Sequence, residues 1–383
     1  MKRRLLALPL LACFLLALVL GNQPDAGDAK PLPRVPKGFF GIVPQTEVTE
    51  LDARYMKAGG LESIRIGIPW AGVQPTPRSP YDWSGTDSTI EVAARAGLRV
   101  FPSIGSPPEW ATGKETTLPV STARQRKEWK RFLTAAVDRY GPGGDFWTER
   151  APGTGGVGPG PAYEPMPTIA RPLPIREWQI WNESNFFYFA YPVSPAKYAK
   201  LVTLSSQAIK AVDPRAKVVL AGLFAEPQAK GKKGMPATTY LQRLYKIPGF
   251  KTRFDGIDLH PYAIDYQDLE RMTEEFHDIA VENRDRPALY MGELGWGSQN
   301  NFQQVAYEQG IRGQVKQLRG SYAYLMENAR RLNLKAAYWF SWKDLPGSCT
   351  FCDSVGFFRA GSKFKAKPAW HAFVALTGGR ARP

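Results

Sequence analysis

Histidine is scarce in this chain, with three among 383 residues, too few for a His-rich metal centre. Cysteine is equally rare: Cys13, Cys349 and Cys352. No second Cys-x-x-C pair accompanies the last two, so four-sulfur zinc ligation is excluded. The only greasy stretch at the start, Leu5 to Leu20 broken by Pro9, falls short of the ~20 residues of a spanning helix. Acidic residues are in deficit, 35 against 50 basic, for a net charge of +15. That excess suits an anionic partner. However, the basic residues are scattered apart from Lys230-Gly231-Lys232-Lys233, and no nucleic-acid motif goes with them. What the chain has in plenty is apolar material: 43% hydrophobic and 12% aromatic residues exclude a disordered protein.

Lys2-Arg3-Arg4 followed by the short apolar run reads as a secretory signal peptide ending between Gly21 and Ala29. An uncleaved anchor is the alternative. The domain expectation is therefore a leader and lead-in over residues 1–29, then one catalytic domain over 30–383. Loss of Lys2, Arg3 and Arg4 with the leader leaves +12. Loss of Cys13 leaves Cys349 and Cys352, which an oxidising compartment pairs as a local loop staple.

Past the Pro-rich lead-in, eight β-rich runs alternate with amphipathic stretches. The runs are Gly38–Val43, Ser63–Trp70, Leu98–Gly105, Glu177–Glu183, Lys217–Leu223, Asp255–Tyr262, Ala288–Trp296 and Ala336–Trp342. The expected helices between and after them include Glu47–Ala58, Thr122–Tyr140, Ser194–Val212, Val305–Asn333 and a closing Pro368–Leu376. Eight such repeats point to an α/β fold, a (β/α)₈ TIM barrel. A Gly- and Pro-dense insertion, 141–174, precedes the fourth run. Cutting the chain there would leave two open half-barrels, so it is no interdomain linker.

In such a barrel, residues at the carboxyl ends of the strands converge on one pocket. The fourth run ends Trp181-Asn182-Glu183 and the seventh carries Gly292-Glu293. Strands four and seven oppose one another across the barrel mouth. Two carboxyls flanking a sugar's reactive carbon are the minimal machinery of glycoside hydrolysis. A single strand-end glutamate is more often a solvated charge or a helix cap; the opposed pair in aromatic sequence reverses that weighting.

On these motifs the chain resembles the retaining glycoside hydrolases of clan A, especially families 39 and 5. The resemblance implies Glu183 as acid/base and Glu293 as nucleophile. It implies Arg65, in Ile64-Arg65-Ile66, as the strand-two arginine orienting the nucleophile. It also implies Asn182, His260 and Tyr262, the last two in His260-Pro261-Tyr262, as sugar-subsite residues. Two departures stand out. Ser184 follows the acid/base where relatives often have Pro, and no accessory β-sandwich follows the last helix. Asn182-Glu183-Ser184 reads as a glycosylation sequon, but a packed strand end is a poor acceptor.

Indoles stack on the apolar faces of sugars. The candidates are Trp70, Trp110, Trp296, Trp339 and Trp342, with Trp342 preferred as the strand-eight platform and Trp110 as a further contact. The function expected is a secreted retaining β-glycosidase acting on a polysaccharide or oligosaccharide, possibly acidic. It calls for no cofactor, metal, nucleic acid or stable protein partner. The alternative reading is a catalytically silent carbohydrate-binding barrel.

Overall fold

The computed structural model describes residues 33–151, 169–301, 305–349 and 352–383. The expected leader and the middle of the 141–174 insertion lie outside the described residues. Eight strands close into a barrel in sequence order. They are β1 (Phe40–Val43), β2 (Ser63–Pro69), β3 (Arg99–Gly105), β4 (Glu177–Asn182), β5 (Lys217–Phe224), β6 (Gly256–His260), β7 (Ala288–Leu294) and β8 (Leu334–Phe340). Every pairing is parallel, and β1 meets β8 with Phe40 opposite Ala337 and Val43 opposite Phe340. The α/β expectation of a (β/α)₈ barrel holds.

The helices are α1 (Glu50–Ala58), α2 (Trp70–Val73), α3 (Ser84–Arg95), α4 (Glu109–Thr112), α5 (Ala123–Tyr140), α6 (Asp145–Glu149), α7 (Pro195–Val212), α8 (Ala237–Tyr245), α9 (Tyr266–Glu282), α10 (Gly310–Asn328) and α11 (Pro368–Thr377). Their starts follow capping chemistry. Thr49 and Asp52 form a capping box on α1, and Thr122 and Gln125 form another on α5. Ser194 caps α7 ahead of Pro195 at its first turn. The one-turn helices α2, α4 and α6 escape the periodicity reading because four or five residues hold no repeat. Helix α10 is shorter than the expected 305–333 stretch: it starts at Gly310 (φ 67°) and leaves residues 305–309 to a loop.

Two apolar clusters hold the barrel. The larger lies between strands and helices and includes Trp129, Phe132, Trp178, Leu201, Leu220 and Trp370, all at most 1% exposed. The smaller contains Phe101, Val219, Tyr290, Ala336 and Tyr338, from β3, β5, β7 and β8. Phe101 stacks on Tyr290 with ring centroids 5.0 Å apart. Strands β3 and β7 are not neighbours, so the pair spans the barrel interior. Large rings fit there because glycines face them: a Cβ on Gly41 would collide with the Tyr338 ring. Polar side chains sit at the carboxyl ends of the strands, above this plug.

Candidate active site

Along β2 and β4, side chains alternate between the interior and the helical shell. This directs Arg65 and Gln179 inward, where the guanidinium is fully engaged. Its Nε donates to Gln179 Oε1 at 2.8 Å, Nη1 to Glu293 Oε1 at 2.7 Å and Nη2 to Asn182 Oδ1 at 2.7 Å. One arginine thus ties together β2, β4 and β7. Beneath it lies Asp258 of β6, wholly buried, which accepts from the Gly292 amide at 2.5 Å and from the Gln179 side-chain amide.

Glu293 receives a second donor on its other oxygen, the Tyr262 hydroxyl at 2.5 Å. His260 bridges the two glutamates. Its Nδ1 lies 2.9 Å from Glu183 Oε1 and 3.7 Å from Glu293 Oε2. An oxygen of Glu183 and an oxygen of Glu293 come within 4.8 Å of each other. The imidazole reaches this position because Gly222 opposite it has no side chain: a Cβ there would overlap Nε2.

The environments push the two carboxyls apart. Burial raises the pKa of Glu183, and the negative charge of Glu293 adds to it, against the lowering effect of His260. Burial also acts on Glu293, but His260, Arg65 and Tyr262 outweigh it and hold that carboxyl below the ordinary glutamate range. His260 is itself raised: burial disfavours its charge, but Glu293 and Glu183 more than compensate.

Six non-glycine residues have positive φ among the described residues: Gln45, Ser106, Trp181, Glu183, Arg284 and Asn333. Gln45, Ser106 and Trp181 line the cleft and Glu183 belongs to the carboxyl pair, so four of the six fall at the site. Backbone held in this region is costly, and such positions cluster where a fold must aim a side chain. The turn at Trp181 (φ 76°) and Glu183 (φ 36°) swings Glu183 off the β4 alternation and toward β6 and β7.

A cleft of about 1260 Å³ opens over the carboxyl ends of the strands. Arg65, Asn182 and Glu293 line it, and so do Gln45 and Thr46 after β1, Thr116 after β3, Tyr188 and Phe189 after β4, and Cys349 and Cys352 after β8. Cys349 and Cys352 form a disulfide, the expected staple of a rim loop on this face.

Glu183, Glu293, Arg65, Asn182, His260 and Tyr262 therefore converge. The expected tryptophans do not. Trp342 is 1% exposed, donates its indole N–H to Asp52 at 2.8 Å and packs on Phe358 and Trp370. The reason is that β8 ends at Phe340, so strand parity no longer steers Trp342, which turns outward toward α1. Phe340, two residues earlier, lines the cleft instead. Trp110 also stands away from the cleft. It packs edge-on against Trp70 and donates to the Gln74 carbonyl, the geometry of a helix-shell aromatic. Trp70, Trp296 and Trp339 are all 0% exposed. The sequon is a poor acceptor, since Asn182 is tied to Arg65 and Ser184 is fully buried.

Sequence reasoning missed Gln179 and Asp258. Both carried a signal: each stands on a strand in the parity of an inward residue, and Asp258 is an acid inside an otherwise apolar run two positions before His260.

Glu183, His260 and Glu293 stand close enough to ligate an ion. Both oxygens of Glu293 are already engaged by Arg65 and Tyr262, so the positive charge there is a guanidinium. Glu274, His277 and Asp278 form a second such group on α9, where Arg331 already pairs with Glu274.

Comparison with known proteins adds the following. A family model described as beta-galactosidase, of glycoside hydrolase family 42, matches residues 43–135, from the end of β1 into α5. A family 39 glycoside hydrolase from Bacteroides cellulosilyticus WH2 superposes with a TM-score of 0.58 at 16% identity, over 90% of this chain and 65% of that one. A family 39 beta-xylosidase from Caulobacter crescentus gives 0.58 at 19% identity, over 91% and 72%. The xylanase TsXylA from Thermoanaerobacterium saccharolyticum gives 0.57 at 13%, over 90% and 99%. No curated protein matches the chain. The first of these structures is thus half as long again as the part this chain spans. The barrel thus shares its fold with these glycoside hydrolase structures, and residues 43–135 match the family 42 model. The family 39 likeness holds at the level of fold, while the sequence match is to family 42, which the sequence reading did not consider.

Proposed function

We propose that this protein is a secreted retaining glycoside hydrolase that cleaves β-O-glycosidic bonds of a polysaccharide or oligosaccharide. The observation that carries the reading is the carboxyl pair, with oxygens within 4.8 Å and opposite protonation preferences. A retaining pair stands about 5–5.5 Å apart, whereas an inverting pair needs about 6.5–9.5 Å to admit water.

In the first step Glu293 attacks the anomeric carbon as Glu183 gives its proton to the departing glycosidic oxygen. The products are a glycosyl ester on Glu293 and an ionised Glu183. In the second step Glu183 takes a proton from water, the water oxygen attacks the anomeric carbon, and Glu293 leaves as carboxylate. Two inversions give net retention. Arg65 and Tyr262 keep the nucleophile ionised and aimed, and the Asn182 amide is placed to hold a sugar hydroxyl. Export rests on the basic–apolar start and the disulfide.

The test is a polysaccharide panel with product sizing and NMR of the first-formed anomer. Wild type should cleave and give the retained anomer, while Glu293→Gln should not cleave. An inverted product would remove the retaining assignment. Binding without cleavage by both proteins would establish the silent carbohydrate-binding barrel.

A further inference from the structure

The segment after Glu183 reads Phe186-Phe187-Tyr188-Phe189-Ala190-Tyr191. Seven large hydrophobic side chains are exposed among the described residues, and three of them fall here: Tyr188 (66%), Phe189 (40%) and Tyr191 (46%). So dense an exposed patch marks a binding surface.

The segment is held rigidly. Trp181 donates its indole N–H to the Phe189 carbonyl at 2.9 Å, and the Tyr191 amide donates to the Thr116 carbonyl. Asn185 clamps it to the next loop through bonds to Phe224 and Met235. That next loop, between β5 and α8, carries the one basic cluster of the sequence. The amides of Phe187 and Val193 donate to the carbonyls of Lys233 and Lys232, so the two loops form one ledge. Lys230, Lys232 and Lys233 are exposed, and none has a carboxylate partner among the described ion pairs. Lys233 Nζ lies 5.9 Å over the Phe187 ring. Tyr188 and Phe189 belong to the same cleft as Glu293, so the aromatic part of the ledge continues the site, with the lysine loop hydrogen-bonded beside it.

Aromatic faces stack on sugar rings and ammonium groups attract carboxylates. A neutral glycan would leave the three lysines without a role. If Glu183 is the acid, its proton goes to the leaving oxygen, and the wall that follows it in the chain faces the leaving group. We propose that this ledge, with Tyr188, Phe189, Lys230, Lys232 and Lys233, binds negatively charged sugars on the leaving-group side of the scissile bond. The substrate class is then an anionic glycan. This inference rests on the glycosidase reading for its orientation, but not for its charge selectivity.

The test compares wild type with the triple variant K230S/K232S/K233S on three substrate types: an aryl glycoside, acidic polymers with β-linked backbones (glucuronoxylan and the polyuronate mannuronate-rich alginate), and the same polymers after carboxyl reduction. The full chain carrying Glu293→Gln, with and without the triple change, is run through gels containing each polymer to read binding without turnover. The triple variant should lose about tenfold in kcat/KM on an acidic polymer through KM. It should be unchanged on the aryl glycoside and on reduced polymers. Retardation by an acidic polymer should weaken with salt for the lysine-bearing chain only. Equal handling of acidic and reduced polymers, or no retention by any polyuronate, overturns the proposal. Stronger lysine-dependent binding to anionic phospholipid vesicles or to duplex DNA overturns it in favour of that partner. Lysine-dependent retention with no turnover of any substrate keeps the ledge and refutes the glycosidase. Turnover without charge preference does the reverse.

Discussion

Arg65 sits where three strands meet, and its bonds explain why two glutamates in one pocket behave differently. Glu293 faces a guanidinium and a phenol, while Glu183 faces an imidazole and buried surface. The proposed mechanism needs Glu293 ionised and Glu183 protonated. The rate should fall as pH drops through the lowered pKa of Glu293 and fall again as pH rises through the raised pKa of Glu183, a bell visible in kcat/KM. Glu183→Ala should lose the basic limb. It should retain the first step on an activated aryl glycoside, then stall as glycosyl-enzyme until azide releases a retained glycosyl azide. The loss on unactivated substrate is about 10²–10⁴. Glu293→Ala should lose both steps, with azide giving at best the inverted product; a retained azide from this variant would exchange the two roles. Gln179 acts one bond further back, on Arg65. Gln179→Leu should lower kcat and move the acidic limb to higher pH, because a displaced guanidinium no longer favours ionised Glu293. A stability loss with the limb unmoved would make Gln179 structural only.

Among the elements, α1 and the end of β8 are joined by a buried acid. Asp52, 1% exposed, completes the α1 capping box, pairs with Lys343 at 2.6 Å and accepts from the Trp342 indole. Burial alone would raise its pKa, but Lys343, Thr49 and Trp342 more than offset this and hold it below the ordinary aspartate value. The folded pKa lies below the unfolded one, so the stabilisation is fully present above about pH 4. It is lost as pH falls through the folded value. Asp52→Ala should destabilise by about 3 kcal/mol at neutral pH, since it removes a cap and strands a partly buried ammonium. Urea midpoints of wild type and variant should converge in acid. A constant gap across pH would show that packing, not the ion pair, sets the loss. Boundaries of this kind set the limit of the sequence reading. Eight strands and eight principal helices were legible because buried β-runs alternate with 3.6-residue periodicity. The end of β8 was not, and that one boundary decided that Phe340 rather than Trp342 would face the cleft.

For the molecule as a whole, the Cys349–Cys352 disulfide closes a loop on the cleft face. Protein isolated under non-reducing conditions and then denatured should show no thiol from these two residues; two reactive thiols would refute the staple. The double serine variant should lose roughly 2 kcal/mol, the loop-closure value for so short a ring, as read by denaturation with kcat on an aryl glycoside little changed.

The sequence alone determined the barrel, because only a closed parallel sheet buries eight apolar strands under eight amphipathic helices. With it came the strand ends bearing Glu183 and Glu293, since a barrel sends every carboxyl end to one mouth. Tertiary structure alone decided the rest. Whether the carboxyls meet depends on the turn at Trp181 and Glu183 and on the empty side of Gly222 that admits His260. Which of them stays ionised depends on Arg65, Tyr262 and His260, contributed by two other strands and a loop. Which aromatics reach a sugar depends on where β8 stops and on how the aromatic loop is zipped to its lysine neighbour. Each is a distance between residues far apart in the chain. Local pattern encodes which way a side chain points, but not what stands opposite it.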